Sequence, residues 1–224
     1  MTLFKRRQLV AGMGAIFATG TIGSMARAAM GPDDKFDLVI KGGEVLDPSQ
    51  GLRGKLDIGM RYGRIEALEA DIPAARANRV MNAAGRLVVP GLIDLHAHVF
   101  TSGIGIPADE LVLYQGTTTA VSAGDAGASN FATYRRYTTA QSRTRIFAFV
   151  HIANLGLSAF PVGELFNLDF AQTEAAAKTL AENADFAIGI KVRMSQNVIA
   201  RHGIEPLKRA IRACELAGTN GRVM

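Results

Sequence analysis

The chain has 224 residues, 48% hydrophobic and 20% charged, with a mean hydropathy of +0.14. It can bury a sizeable core, which excludes a disordered, collagen-like or coiled-coil protein, and a single cysteine excludes an internal disulfide framework. The formal charge of +5 sits mostly at the N-terminus: Lys5, Arg6, Arg7 and Arg27 fall in the first 28 residues with no acid, leaving 21 basic against 20 acidic residues beyond them. A nearly neutral body has no counterion-release term to offer a polyphosphate, so nucleic acid is not an expected partner.

Residues 1–28 have the layout of an export signal: a basic start, an apolar run and small residues at Ala26-Arg27-Ala28. Cleavage is expected after Ala28. The pair Arg6-Arg7, followed by Gln8-Leu9-Val10, resembles a twin-arginine signal, a route that carries folded proteins. The expected location is periplasmic or secreted, with membrane contact only in transit. An uncleaved anchor is the alternative, but Gly12, Gly14, Gly20 and Gly23 make the run a poor span.

Residues 34–89 read as closely spaced strands. Phe36 to Lys41 is closed by Gly42-Gly43, and Glu44 to Leu46 ends at Asp47-Pro48. Leu56 to Met60 and Arg64 to Leu68 flank a hairpin at Tyr62-Gly63, and Val80 to Asn82 and Leu87 to Val89 add two more. Such spacing predicts a small antiparallel sheet rather than a βαβ unit.

After Pro90 the rhythm becomes strand, loop, helix. Strands are predicted at 91–96, 118–123, 145–151 and 186–192, with helices at 107–114, 130–142, 169–183 and 205–217. Arg222-Val223-Met224 reads as the start of a fifth strand. Alternation with near-continuous apolar strands implies a parallel sheet.

The strongest chemical signal is Pro90-Gly91-Leu92-Ile93-Asp94-Leu95-His96-Ala97-His98. Side chains alternate along a strand, which puts Ile93, Leu95 and Ala97 on one face and Asp94, His96 and His98 on the other. Two imidazoles at i and i+2 can converge on one metal ion. A chance pair at a strand end is at least as frequent for His-x-His alone. The second signal is Lys191, which shares a strand face with Ala187 and Gly189. A buried lysine is costly unless neutralised. An amine of depressed pKa adds to carbon dioxide to give a carbamate able to bridge two cations, whereas the bland reading is a lysine that snorkels to solvent.

Together these residues resemble the amidohydrolase superfamily, in its deacetylase-like and dihydroorotase-like branch. The likeness runs through Asp37-Leu38-Val39-Ile40-Lys41-Gly42-Gly43, the Pro90–His98 string, Gly116-Thr117-Thr118-Thr119 and Gly189-Ile190-Lys191-Val192-Arg193-Met194-Ser195. The resemblance implies an α/β fold. Residues 90–224 would be the N-terminal half of a (β/α)8 barrel, about its first four βα units, and 34–89 part of a small β-sandwich. It implies that His96 and His98 bind one metal and that Lys191, as a carbamate, bridges a pair of divalent ions, with zinc expected. The implied activity is hydrolysis of an amide or ester bond in a small N-acyl or O-acyl compound. A cyclic amide such as dihydroorotate is the runner-up, and an amine-releasing deaminase ranks below both.

The family also draws two histidines from later strands and a catalytic aspartate from the eighth. With about 135 residues beyond Pro90 against the ~250 of a full barrel, the catalytic aspartate is expected beyond residue 224 and the chain is expected to be a fragment. A non-catalytic truncated product, associating through open strand edges, is the reading from another class. Ser122 stands where this branch commonly has an acid; Asp125, nearby, is expected to cap the next helix rather than face the site. Arg193 and His151 are candidate substrate contacts, Arg193 for a substrate carboxylate. His202 is expected in solvent or loop packing, and Cys214, Phe147, Phe149, Leu180 and Ile211 in the core.

Overall fold

A computed structural model describes residues 30–31, 34–101 and 104–224; the expected export signal, 1–28, lies outside the described residues. Among them no helix is long and apolar enough to cross a membrane. Two compact units are distinguished, one formed by 55–84 with the chain up to Gly43, the other by 44–54 and 85–224.

The small sheet runs β3-β2-β1-β4, with β5 also on β1. Its strands are β1 (Leu38–Asp47), β2 (Leu52–Arg61), β3 (Arg64–Glu69), β4 (Val80–Asn82) and β5 (Leu87–Val88). β2 and β3 form the expected hairpin. Tyr62 and Gly63 both have positive φ, 51° and 68°, as a two-residue turn between twisted strands requires. β4 and β5 pair with β1 in parallel, Val39 opposite Val80 and Glu44 opposite Leu87. The sheet is therefore mixed and not antiparallel throughout. The chain crosses over through a 3-10 turn at Ala74–Arg76 before β4, and a crossover return gives parallel pairing. Buried Asp57 accepts from the Gly42 and Ile72 amides, each at 2.8 Å, and pairs with Lys41 beside a small core of Phe36, Val39 and Ile72.

The second sheet is the half-barrel: five parallel strands in the order β10-β9-β8-β7-β6. In chain order they are β6 (Leu92–Ala97), β7 (Thr117–Ser122), β8 (Arg145–His151), β9 (Ala187–Lys191) and β10 (Arg222–Val223). Helices α1 (Ala108–Leu111), α2 (Phe131–Tyr137), α3 (Thr173–Glu182), α4 (Gln196–Ile199) and α5 (Glu205–Ala217) connect them. Apolar strands bury Ala120, Val121, Ala148, Val150 and Ile190 almost completely. Small helix faces, Ala176 and Ala177 on α3 and Ala210 and Ala213 on α5, allow close packing. Phe131 stacks on Phe186 at 5.4 Å between ring centroids, closing the core over α2.

The structure departs from the predicted elements in several places. The first three helices are shorter and continue or begin as 3-10 turns at Leu113–Gln115, Thr139–Gln141 and Leu168–Phe170; α4 was not predicted. Ile211 is 45% exposed, because the buried stripe of α5 runs through Pro206, Ala210 and Ala213 and leaves Ile211 at its rim. On β6 only Ala97 of the expected apolar face is buried, while Ile93 and Leu95 are exposed. Among the described strands β6 pairs with β7 alone.

Asp109 of α1 ties this helix to the segment before β8. Its carboxylate accepts from the Ser142 and Thr144 hydroxyls, both at 2.7 Å, and from the Thr144 and Arg143 amides at 2.8 and 3.0 Å. These donors, the Ser142 hydroxyl first, hold its pKa far below the ordinary carboxylate range. A group with a depressed folded-state pKa contributes its stability above the unfolded value of about 4 and loses it as pH falls further. Asp109→Ala is expected to cost roughly 2 kcal/mol in urea unfolding at neutral pH. That cost should shrink steadily as the solution is acidified below about pH 4; a cost unchanged by acid contradicts the assignment.

Candidate metal centre

His96 lies in β6 and His98 just beyond it. The β6–β7 pairing shifts register between Asp94 and Ala97, a bulge that places one extra residue on β6 at the point where the imidazoles leave the strand. The Asp94 carboxylate accepts from the His96 amide at 2.9 Å and fixes that kink. The two rings nevertheless lie together, centroids 5.4 Å apart and edge to face. With Asp94, Ile104 and Ile106 they border a cleft of about 440 Å³.

The residue that organises this corner is Asp125, which is 2% exposed. One carboxylate oxygen lies 2.6 Å from His98 Nδ1; the other accepts from the Val99 amide (2.7 Å), the Ser122 hydroxyl (2.9 Å) and the Phe100 amide (3.1 Å). Asp125 therefore does not cap the following helix. It fastens the end of β7 to the end of β6. A carboxylate acceptor draws the proton to Nδ1, which in the neutral ring leaves the lone pair on Nε2, the arrangement typical of a metal-ligating histidine. His96 binds a proton less readily than a free imidazole. Burial is the main cause, followed by the charges of Lys191 and His98.

Lys191 ends β9, opposite His151 of β8 in the ladder. Burial pulls its amine pKa down, the Arg193 charge pulls it further, and Glu164 opposes them. Its stem crosses Gly124, where a Cβ would fall 2.5 Å from both Lys191 Cβ and Cγ and where φ is +82°. Gly124 thus does two things a larger residue cannot: it takes a left-handed turn into Asp125 and leaves room for the lysine. Gly124 and Asp125 bring one short loop against both Lys191 and His98.

His151 is fully buried. Its Nδ1 accepts from the Ala153 amide at 3.0 Å, which puts the proton on Nε2, 3.3 Å from Glu164 Oε1. Burial lowers its pKa and keeps the ring neutral. The ring has no exposed surface for the expected substrate contact, because the segment after β8 covers it. Arg193 is engaged as well: Nη2 donates to Glu164 Oε2 at 3.0 Å and Nε lies 2.9 Å from Oε1. Glu164 is itself fully buried, and although burial raises its pKa, His151 and Arg193 together bring it below the usual range. His202 sits apart, its Nε2 3.1 Å from the Phe166 carbonyl oxygen.

Sequence reasoning missed Glu164 and misplaced Asp125. A signal for Glu164 was present: an acid alone within Phe160-Pro161-Val162-Gly163-Glu164-Leu165-Phe166 has to find a cation if that run is buried. Among the described residues no three His, Cys, Asp or Glu side chains converge as a metal cage. The two imidazoles and Lys191 fit one wall of a metal site, on the evidence of the bare Nε2 of His98 and the depressed lysine.

No family model matches the chain. It is 34% identical to a deacetylase of Agrobacterium fabrum over 149 residues, 65% of this chain and 37% of that protein. It is 33% identical to a deacetylase of Enterococcus faecalis over 179 residues, 78% of this chain and 46% of that one. The crystal structure of a dihydroorotase superposes with a TM-score of 0.75 at 28% identity, covering 83% of this chain and half of that one. These likenesses are to deacetylases and dihydroorotases of the amidohydrolase superfamily. A further member of the fold, the crystal structure of an adenine deaminase, matches with a TM-score of 0.72 at 30% identity over 85% of this chain and half of its own. The chain spans less than half the length of the two deacetylases.

Asp125→Ala would leave the Val99 and Phe100 amides and the Ser122 hydroxyl buried without an acceptor. At about 1–3 kcal/mol for each stranded donor, urea unfolding is expected to show a loss of roughly 3 kcal/mol or more; a loss below about 1 kcal/mol contradicts this role for the carboxylate.

Proposed function

We propose that this chain carries the cation-binding wall of a hydrolase that cleaves amide or ester bonds in small N-acyl or O-acyl compounds. The observation that carries the reading is the His98 ring, held by buried Asp125 with Nε2 bare, beside His96, while a lysine of lowered basicity packs against Gly124 next to that acid. The likeness to two deacetylases supports the acyl substrate class. His96 and His98 would hold one divalent ion and Lys191 a pair of them, with zinc expected; when bound, such ions polarise a scissile carbonyl and supply a nucleophile at neutral pH.

The chain's own residues do the rest. Asp125 fixes the tautomer and aim of His98. Gly124 admits the lysine stem. The Lys191 amine would attack carbon dioxide in its unprotonated form: a nitrogen–carbon bond forms, one C=O π pair moves onto oxygen, and a proton leaves to solvent. The carbamate anion then sits on a long stem beside the imidazoles. The layout of residues 1–28, basic start, apolar run and Ala26-Arg27-Ala28, supports a periplasmic or secreted location for this reading.

Cyclic amide hydrolysis is the second reading, favoured by the dihydroorotase superposition. Product analysis separates the readings: a free acid and amine or alcohol for an acyl hydrolase, a ring-opened acid for a cyclic amide, ammonia for a deaminase. The decisive variant is Lys191→Ala, assayed on an N-acetyl and O-acetyl panel with zinc supplied. The loss should exceed about 100-fold, beyond what removal of a ligand's supporting partner costs, with partial recovery on adding short carboxylic acids. Full activity in the untreated variant contradicts the carbamate role. A zinc-loaded parent chain inert on every substrate favours the non-catalytic product.

A further inference from the structure

Arg193 stands two residues beyond Lys191, beside the site, and a guanidinium there invites a carboxylate from a substrate. The structure supplies a carboxylate from within. Arg193 Nη2 donates to Glu164 Oε2 at 3.0 Å, and Nε lies 2.9 Å from Oε1 in an ion-pair contact without hydrogen-bond geometry, so the guanidinium already has its counterion. The acid has no exposed surface, and the Arg193 side chain is 29% exposed. On its far side Glu164 Oε1 faces the Nε2–H of His151, a neutral ring. The cluster of Glu164, Arg193 and His151 therefore sums to zero charge. Arg193 has no freedom to leave for a ligand, because a fully buried carboxylate stripped of its cation is among the costliest groups a fold can hold.

We infer that Glu164 is a specificity-determining residue: by occupying Arg193 from inside, it makes the part of the site next to Lys191 accept an uncharged group and reject a carboxylate. This deepens the acyl-hydrolase reading and rests on it for the word substrate. It assigns the compounds accepted here an uncharged acyl or leaving group at the Arg193 end. A carboxylate-bearing cyclic amide such as dihydroorotate would have to find its cation elsewhere.

The test uses the 224-residue chain, no added metal, and a matched pair of probes without a reactive amide or ester for this site to consume: benzoate and its uncharged analogue, benzyl alcohol. Binding is read by NMR titration. The parent is expected to show no preference for benzoate. Glu164→Gln, which keeps the side chain's size and removes its charge, should gain roughly tenfold in benzoate over benzyl alcohol, the value of about one charge-assisted hydrogen bond. Adding Arg193→Gln to that variant should abolish the gain. A Glu164→Gln chain that folds and gains no benzoate binding overturns the inference. If that variant does not fold, Arg193→Gln alone decides: unchanged benzoate binding relative to the parent supports the inference, and loss of a benzoate preference present in the parent overturns it. Neither metal nor hydrolysis enters this measurement, so failure of the hydrolase reading would appear in the Lys191→Ala assay and not here.

Discussion

The active corner of the half-barrel hangs on one buried carboxylate. Asp125 accepts from His98, Val99, Phe100 and Ser122, four donors drawn from the ends of two neighbouring strands. In a site of low dielectric an unpaired carboxylate is costly, so the acid and its donors specify one another. The result is a loop with little freedom, and the functional consequence is local: Nδ1 of the His98 ring is engaged and Nε2 is left for another partner. Gly124, immediately before the acid, extends the same constraint to Lys191 by leaving no Cβ in the path of the lysine stem.

A second buried acid does complementary work. Glu164, delivered by the long segment between β8 and α3, neutralises Arg193 and meets His151, which in turn stands opposite Lys191 in the ladder. Asp125 presents a ring to the cleft; Glu164 holds the Arg193 guanidinium. Between them sits a lysine whose basicity is lowered by burial and by Arg193. That division explains why a strongly polar strand end is tolerated above an otherwise apolar sheet: each of the two buried carboxylates has named partners.

The sequence made the strands of the half-barrel and their parallel order legible, because uninterrupted apolar runs such as Phe147 to Val150 leave few other arrangements. It also led to the histidine pair and Lys191 through their strand positions. What it could not convey was which polar group answers which across the fold. Asp125 before a helix reads as a cap, and only the tertiary meeting of β6 and β7 reveals four other donors. Arg193 read as a free cation because its counterion lies 29 residues away, in a segment with no regular period. The apolar side of β6 and Ile211 looked like core on pattern alone, yet burial depends on what packs against a face, which periodicity does not encode. The parallel pairing of β4 and β5 was hidden for a related reason: strand spacing says nothing of the side on which a crossover returns.

The central claim is that Asp125 holds the proton on His98 Nδ1 and leaves Nε2 bare for a cation. The most direct measurement is a long-range ¹H–¹⁵N correlation spectrum of the chain with ¹⁵N-labelled histidine, above the pH at which the imidazoles are neutral. The account predicts the Nδ1–H tautomer for His98, and a move away from it when Asp125 is replaced by Ala. A His98 ring found in the Nε2–H tautomer, or one indifferent to the loss of Asp125, would contradict it.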